Sequence, residues 1–308
     1  MSARLFLSSG DLIADRRYEF ARNLQLEGDL VAAADLLEQA VELAPGFASA
    51  WFTLGEIREQ LGERDAAITA FRKAREADAG DPHGAGLKLM RLGAEKLSAM
   101  PPAYVRTLFD QYAPRFDRAL IDDLGYRGPS MLFKAVLAAR QAASKPALFK
   151  RAIDLGCGTG LAAAAFAGEV DRFIGIDLSP GMIEKAKATG FYTELEVGDM
   201  LEALRARPAA SADLVLAADA MVYVADLAPV LAEIGRVLAA DGLLAFTLER
   251  HAGDGIVLGG GLRYAHSPHY VRMALAAAGL TLTQLEEQSF RNEGKTPVPG
   301  LVVVAAKS

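Results

Sequence analysis

The 308-residue sequence contains one cysteine, Cys157, which excludes an internal disulfide and a cysteine-rich metal site. It also lacks a basic excess. With 33 Lys and Arg against 39 Asp and Glu, the formal charge is −6, the wrong sign for a chain that clamps nucleic-acid backbones. No window reaches the roughly 18 uninterrupted apolar residues of a membrane span, and even the apolar stretch Asp213 to Val224 is broken by Asp219. Met1 to Asp11 shows no long apolar run behind basic residues, so it does not read as a secretory leader. These absences lead us to expect a soluble cytoplasmic protein with a reduced thiol and neither nucleic-acid nor membrane partners. His83, His251, His266 and His269 are scattered. His266 and His269 are spaced to share a helix face, but two ligands do not make a site, and no metal is expected. What remains, 52% hydrophobic and 23% charged residues, describes a globular chain long enough for two cores.

Compared with itself at an offset of 34 residues, the N-terminal third repeats: Gly28 falls on Gly62, Ala33 on Ala67, Leu37 on Phe71 and Ala40 on Ala74. The second copy opens with Trp51-x-x-Leu54-Gly55, whereas the first has Arg17 and Ala21 at the Trp and Gly positions. Small residues at 55, 67 and 74 allow two helices to approach, bulky Trp51, Leu54 and Phe71 fill the groove, and Gly28 and Gly62 end the first helix of each pair. The pattern resembles the tetratricopeptide repeat, with units at about 14–47 and 48–81 and a capping helix around 86–99. Such a stack can cradle a peptide, form a dimer contact or simply pack, and exposed Arg17, Asn23 or Arg58 would favour a docking role. Met100-Pro101-Pro102 blocks helix continuation, which sets the expected domains at residues 1–100 and 101–308.

From Leu148 onward, short apolar runs alternate with helical periodicity. Strands are expected at 148–154, 173–177, 193–197, 213–217, 243–248, 281–286 and 301–305, with the clearest helix running from Leu227 to Leu238 and stopped by Asp241-Gly242. Alternation of this kind implies a mostly parallel sheet covered on both faces. The last two strands, separated by a loop containing Asn292-Glu293-Gly294, form an antiparallel edge. The expected fold class is α/β, a Rossmann-like seven-stranded sheet behind an all-α helical-repeat domain.

The strongest local signal is Asp154-Leu155-Gly156-Cys157-Gly158-Thr159-Gly160, after a strand and before an alanine-rich helix. Glycines permit unusual backbone angles and close passage of a ligand. The spacing is G-x-G-x-G, not the dinucleotide G-x-G-x-x-G, and an acid stands two residues before the first glycine. A pyrophosphate is repelled by that carboxylate and the ammonium group of a methionine moiety is attracted, so the loop reads as a site for S-adenosylmethionine (SAM). Cys157 reads as a small residue filling this loop.

This segment resembles motif I of the class I SAM-dependent methyltransferases (type 11/12-like), and the likeness runs from about Tyr104 to Ser308. It is nearest to bacterial members that also carry N-terminal tetratricopeptide repeats. The resemblance implies that Asp177, in Gly175-Ile176-Asp177-Leu178-Ser179, accepts the ribose hydroxyls, with Leu178 beside it. It implies further that Met182 lies against adenine, and that Asp199 and the Met200 N–H meet the adenine edge. Ala217 and Ala218 would face the methionine moiety. Leu108-Phe109-Asp110-Gln111-Tyr112-Ala113-x-x-Phe116-Asp117 would form part of a lid over about 104–145, with Tyr112 reaching the SAM carboxylate or packing the lid. Arg263-Tyr264-Ala265-His266-Ser267 is similar to that group as well.

Methyl transfer is an in-line displacement that depends chiefly on alignment, with a base needed for an oxygen acceptor. Candidate bases are Tyr223, His251, Tyr264 and His266, all after strands whose carboxyl ends bind ligands in such sheets. His266 is favoured and Tyr223 follows, although His266 before Ser267-Pro268 equally suits a helix cap. The sequence has no Asn/Asp-Pro-Pro-aromatic motif and no double-glutamate loop between Asp219 and Asp241. The expected activity is methyl transfer to an O or N acceptor on a small molecule or carrier-bound metabolite, releasing S-adenosylhomocysteine. Alternatives are a protein or peptide methyltransferase with its substrate docked by the repeats, and a non-catalytic SAM-binding scaffold.

Overall fold

A computed structural model of the chain describes residues 5–116, 125–294 and 296–307. The chain divides into two compact units, Met1–Thr107 and Leu108–Ser308. Among the described residues no helix is long and apolar enough to cross a membrane.

The first unit is built from helices α1 (Leu12–Glu27), α2 (Leu30–Leu43), α3 (Ala48–Gln60), α4 (Arg64–Ala77) and the short α5 (Ala85–Arg91). Asp11 caps α1 by accepting from the Ile13 and Ala14 amides. Gly28 ends that helix in the left-handed region at φ 90°, and Gly62 does the same after α3 at φ 79°. The pairing of α3 with α4 is tight enough that a Cβ on Gly55 would stand 2.6 Å from the Phe71 ring, so only glycine fits there. The capping helix is shorter than its expected range of 86–99. It stops at Arg91 because Leu92 closes the last turn and Gly93 takes φ 69°.

The chain passes into the second unit within α6 (Pro102–Tyr112), and Pro102 begins this helix. The unit continues with α7 (Gly128–Ala142), β1 (Ala152–Leu155), α8 (Leu161–Ala165), β2 (Phe173–Asp177), α9 (Pro180–Thr189), β3 (Tyr192–Val197), α10 (Met200–Arg205) and β4 (Ala212–Ala217). Then come α11 (Ala228–Val237), β5 (Leu238–Arg250), β6 (Ile256–Leu258), β7 (Tyr264–His266), α12 (Pro268–Ala277), β8 (Leu280–Glu287), β9 (Asn292–Glu293), β10 (Thr296–Pro297) and β11 (Gly300–Lys307). The expected lid range of 104–145 includes residues 117–124, Asp117 among them, which lie outside the described residues.

The sheet order is β3-β2-β1-β4-β5-β11-β8. The first five strands are parallel, and β11 runs antiparallel to both β5 and β8. The expected α/β, Rossmann-like seven-stranded arrangement is therefore observed. The antiparallel member, however, is β11, one place in from the edge that β8 forms. Successive residues of β4 serve the two faces. Val215 and Ala217 pack with Val230, Leu231, Ile234 and Val271 on one side, whereas Leu214 and Leu216 pack with Leu132, Val136 and Ala163 on the other.

Two boundaries differ from expectation. Helix α11 ends at Val237 and strand β5 begins at once, so Asp241-Gly242 does not stop the helix. Asp241 adopts φ 61°, and the β4–β5 register shifts between Ala212 and Leu214. The β6–β7 hairpin, beside the carboxyl end of β5, was not expected.

Candidate active site

The glycine loop leaves β1 at the carboxyl edge of the sheet. Gly156, Gly158 and Gly160 take φ values of 65°, 54° and 97°, conformations that favour glycine. A Cβ at Gly156 would approach Ala220 Cβ to 2.5 Å, so the loop lies directly against the turn that follows β4. Cys157 is buried and its thiol is pushed up by that burial and by the nearby carboxylates of Asp154 and Asp177, as suits a space-filling residue.

Two acids anchor the loop. Asp154 is 1% exposed; its Oδ2 accepts from the Tyr192 hydroxyl at 2.7 Å, and its Oδ1 has no partner among the described residues. Burial raises its carboxyl to about 7, opposed by the Tyr192 hydrogen bond and assisted by the charge of Asp177. Asp177 ends β2, accepting from the Gly158 amide at 2.9 Å and the Ser179 amide at 2.8 Å, one on each oxygen. Its carboxyl is also raised, by burial first, against those two amides. Each carboxylate oxygen has a second lone pair, so Asp177 retains acceptor capacity after both bonds are made.

Around this core the other sequence-derived residues take varied positions. Leu178 is half-buried beside Asp177. Met182 is fully buried beneath the start of α9, where its amide donates to the Ser179 hydroxyl. Asp199 is half-buried and caps α10, its Oδ1 accepting from Leu201 and Glu202. Met200 follows as the first residue of that helix. Ala217 is buried at the end of β4, and Ala218 is partly exposed just after it. Tyr112 is half-buried at the end of α6. Asp154, Gly156, Gly158, Gly160 and Asp177 thus form one connected group, with Asp199, Ala217 and Ala218 along the same sheet edge.

An aromatic chain lies over the loop. Phe116 comes to 3.5 Å of where a Gly158 Cβ would be, meets Phe109 edge-on at 5.9 Å, and Phe109 meets Tyr223 edge-on at 5.3 Å. Asp110 fixes this end of α6 by accepting from the Ser179 hydroxyl and from the Gly181 amide at 3.2 Å. Tyr223 itself is half-buried in the one-turn helix Met221–Tyr223 after β4.

His266 belongs to strand β7, so it shares no helix face with His269. It is fully buried, its Nε2 lies 2.9 Å from the Ala225 carbonyl, and its Nδ1 has no partner among the described residues. Burial lowers its pKa to about 4. The helix cap beside it is Ser267, whose side chain accepts from the Tyr270 amide. His251 is tied into its own loop, with Nε2 at 3.0 Å from the Gly255 carbonyl and Nδ1 accepting from Gly253. Tyr264 is buried and its hydroxyl is raised to about 12 by that burial. Among the described residues no three His, Cys, Asp or Glu side chains gather as a metal cluster.

Sequence reasoning missed a second set of charges, at the ends of β4 and β5. Asp219 adopts φ 57°; its amide donates to the Thr247 hydroxyl at 2.8 Å, and its Oδ2 receives Arg291 Nε at 3.0 Å. Arg291 also donates to Glu249 Oε1, and Arg263 donates to that same oxygen. Asp219 Oδ1 is buried without a partner among the described residues, and burial raises this carboxyl to about 6 against the pull of Arg291 and Arg263. Tyr126 stands nearby, its hydroxyl pushed up by burial and then by Asp219 and Asp154. The one sequence signal was Asp219 itself, an acid interrupting an apolar run; Arg291 lies 72 residues away.

A model of the methyltransferase domain matches residues 153–246, and a model of the tetratricopeptide repeat matches residues 24–89. Methyltransferase-like protein 27 of Homo sapiens is 34% identical over 114 residues, which cover 37% of this chain and 45% of that protein. Aklanonic acid methyltransferase DauC of Streptomyces sp. (strain C5) is 30% identical over 151 residues, covering 46% of this chain and 64% of that one. The matches therefore span less than two-thirds of the length of either curated relative. Among solved structures, the 1,6-didemethyltoxoflavin-N1-methyltransferase of Burkholderia thailandensis, bound to 1,6-didemethyltoxoflavin and S-adenosylhomocysteine, superposes with a TM-score of 0.52. That likeness covers 70% of this chain and 93% of that one at 19% identity, a similarity of fold. Within one chain, then, a segment that matches the methyltransferase domain, on a Rossmann-like sheet, follows a segment that matches the tetratricopeptide repeat.

Proposed function

We propose that the second unit, together with the rest of residues 101–308, is a SAM-dependent methyltransferase acting on an O or N acceptor of a small molecule or carrier-bound metabolite. The observation that carries this reading is Asp154. A carboxylate 1% exposed, with one oxygen unpartnered among the described residues, is costly unless a ligand completes it. The ammonium group of a methionine moiety does so, and the positive-φ glycine loop beside it admits a ligand against the main chain. Asp177 retains lone pairs for two ribose hydroxyls while the Gly158 and Ser179 amides hold it still. Leu178, Met182, Asp199 and Met200 are assigned to the adenine side, Ala217 and Ala218 to the methionine side, and Tyr112 to the carboxylate. Bound SAM supplies the activated methyl group; the chain's residues orient the acceptor and exclude water.

For the acceptor side, the aromatic chain Phe116–Phe109–Tyr223 favours Tyr223 as the side chain that meets the substrate. His266, buried and bonded to the Ala225 carbonyl, acts through position, bracing the turn after Tyr223. The small-molecule reading draws on DauC, whose name gives aklanonic acid as its acceptor. Buried, unpaired Cys157 fits the reducing cytoplasm.

Calorimetric titration with SAM and, separately, with NADH tests the reading. Micromolar SAM binding without an NADH signal is expected, and acceptors are then screened by release of S-adenosylhomocysteine. Absence of SAM binding, or preference for NADH, overturns it.

A further inference from the structure

Strand β3 forms one edge of the sheet, yet its first side chain reaches a residue two strands away. Tyr192 pairs with Phe173 of β2, but the next pair is Ile174 with Glu194, so the ladder skips Thr193. The Thr193 hydroxyl pins this irregularity by donating to the Phe173 carbonyl at 2.9 Å. A bulge of this kind re-aims the side chain beside it. The Tyr192 ring meets Phe173 edge-on at 6.0 Å and crosses β2, where its hydroxyl donates to Asp154 Oδ2 of β1 at 2.7 Å.

The ring passes where two glycines leave room for it. A Cβ on Gly175, within β2, would stand 2.7 Å from Tyr192 Cε1, so alanine there would displace the ring. A Cβ on Gly160, the third glycine of the cofactor loop, would stand 3.1 Å from Cε2. Bulge, slot and hydrogen bond therefore serve one contact, which delivers a hydroxyl from the sheet edge to a carboxylate 1% exposed. The contact also decides which oxygen is left over. Tyr192 occupies Oδ2, and Oδ1 has no partner among the described residues. The titratable groups that face Asp154 are Tyr192 from β3, Asp177 from the end of β2, Cys157 from the loop and Tyr126 from the segment before α7, none of them a cation. Against burial and the charge of Asp177, the Tyr192 hydroxyl is the group that favours the ionised carboxylate.

We propose that Tyr192 is a positioning residue for the cofactor: it clamps Oδ2, so that Asp154 meets the SAM ammonium group through Oδ1 and does so as a carboxylate. Tyr192 has this role only if Asp154 receives that ammonium, so the proposal rests on the cofactor reading.

The test is calorimetric titration of the full chain with S-adenosylhomocysteine, which carries the same ammonium and transfers no methyl group, from about pH 5.5 to about pH 8.5. With the Asp154 carboxyl raised to about 7, wild-type affinity falls as pH drops through that value. Tyr192→Phe keeps the ring in its slot and removes only the hydroxyl. Its Asp154 titrates higher, so affinity is expected to be about tenfold weaker near pH ~6, with the gap narrowing towards pH ~8.5. Asp154→Asn weakens binding and flattens the profile, and adding Tyr192→Phe to it changes affinity by less than about twofold. Weaker binding in both backgrounds with an unmoved midpoint would mean that the hydroxyl only packs the strand. That outcome, or identical binding by wild type and Tyr192→Phe, overturns the proposal and leaves the cofactor reading standing. No binding to the wild type at any pH overturns both.

Discussion

Two pairs of acids stand at the same edge of one sheet and are held by opposite means. Asp154 and Asp177, near the end of β1 and at the end of β2, are served by neutral donors: a tyrosine hydroxyl and two backbone amides. Asp219 and Glu249, at the ends of β4 and β5, share a full cation, Arg291, which is 4% exposed, with Arg263 behind it. Neutral donors bring no positive charge of their own, so the first pair can meet a cationic ligand with a carboxylate that no protein cation has cancelled. An arginine cancels the charge and fixes direction, leaving a rigid, nearly neutral wall. One half of the edge is therefore suited to attract and the other to orient.

The largest effect is expected from the second pair. Arg291→Met leaves Asp219 without its cation, while Glu249 keeps Arg263, and should lower stability by about 3–5 kcal/mol. Chemical denaturation reads this directly, and a loss below 1 kcal/mol would mean that solvent, not Arg291, neutralises Asp219. The first pair should respond through binding. Asp177→Ala removes charge-assisted hydrogen bonds of about 1.5–3 kcal/mol, so the SAM dissociation constant should rise roughly 10- to 100-fold with the fold intact. An unchanged constant in calorimetry would dissociate Asp177 from the cofactor.

A subtler contrast appears on titration. The Asp154 carboxyl is raised to about 7, above its unfolded value, so its contribution to stability is fully present at low pH and is lost as pH rises from about 4 through about 7. Asp154→Asn should flatten that slope in thermal melts taken across the range. A cationic ligand that ionises Asp154 must also release a proton near pH 6.5, which calorimetry in buffers of different ionisation enthalpy detects; no buffer dependence would separate Asp154 from the ligand. The smallest effect belongs to His266. Its pKa, lowered to about 4, gives stability that is present above its unfolded value and is lost as pH falls towards 4, the opposite sign to Asp154. His266→Gln should remove that acid sensitivity at a cost of about 1 kcal/mol and leave SAM affinity alone. A large loss of SAM binding would instead bring His266 to the cofactor.

Much of this was legible in the residues themselves. Strand β2 coincides with the run from Phe173 to Asp177, because a buried parallel strand is apolar throughout and its ends are marked by polar residues. The glycine loop could be found by spacing, since a tight turn dictates its residue types locally, whereas Asp177 was marked by the family resemblance. The hairpin of β6 and β7 could not, because three-residue strands carry too little periodicity to stand out. The Asp219–Arg291 pair depends on chain reversal across β5, β8 and β11, and no local pattern encodes it.

Strand β11 lies between β5 and β8 although it follows both in the sequence. During synthesis β8 therefore emerges with no neighbour to pair with, and β5 waits with one edge open until β11 is made. The sheet can close only after its last strand has left the ribosome, which makes the final insertion a late, long-range event. Until then β5 presents Leu244, Phe246 and Leu248 along an unpaired rim, and this is the interval in which a nascent chain is most exposed to mispairing and most in need of a chaperone.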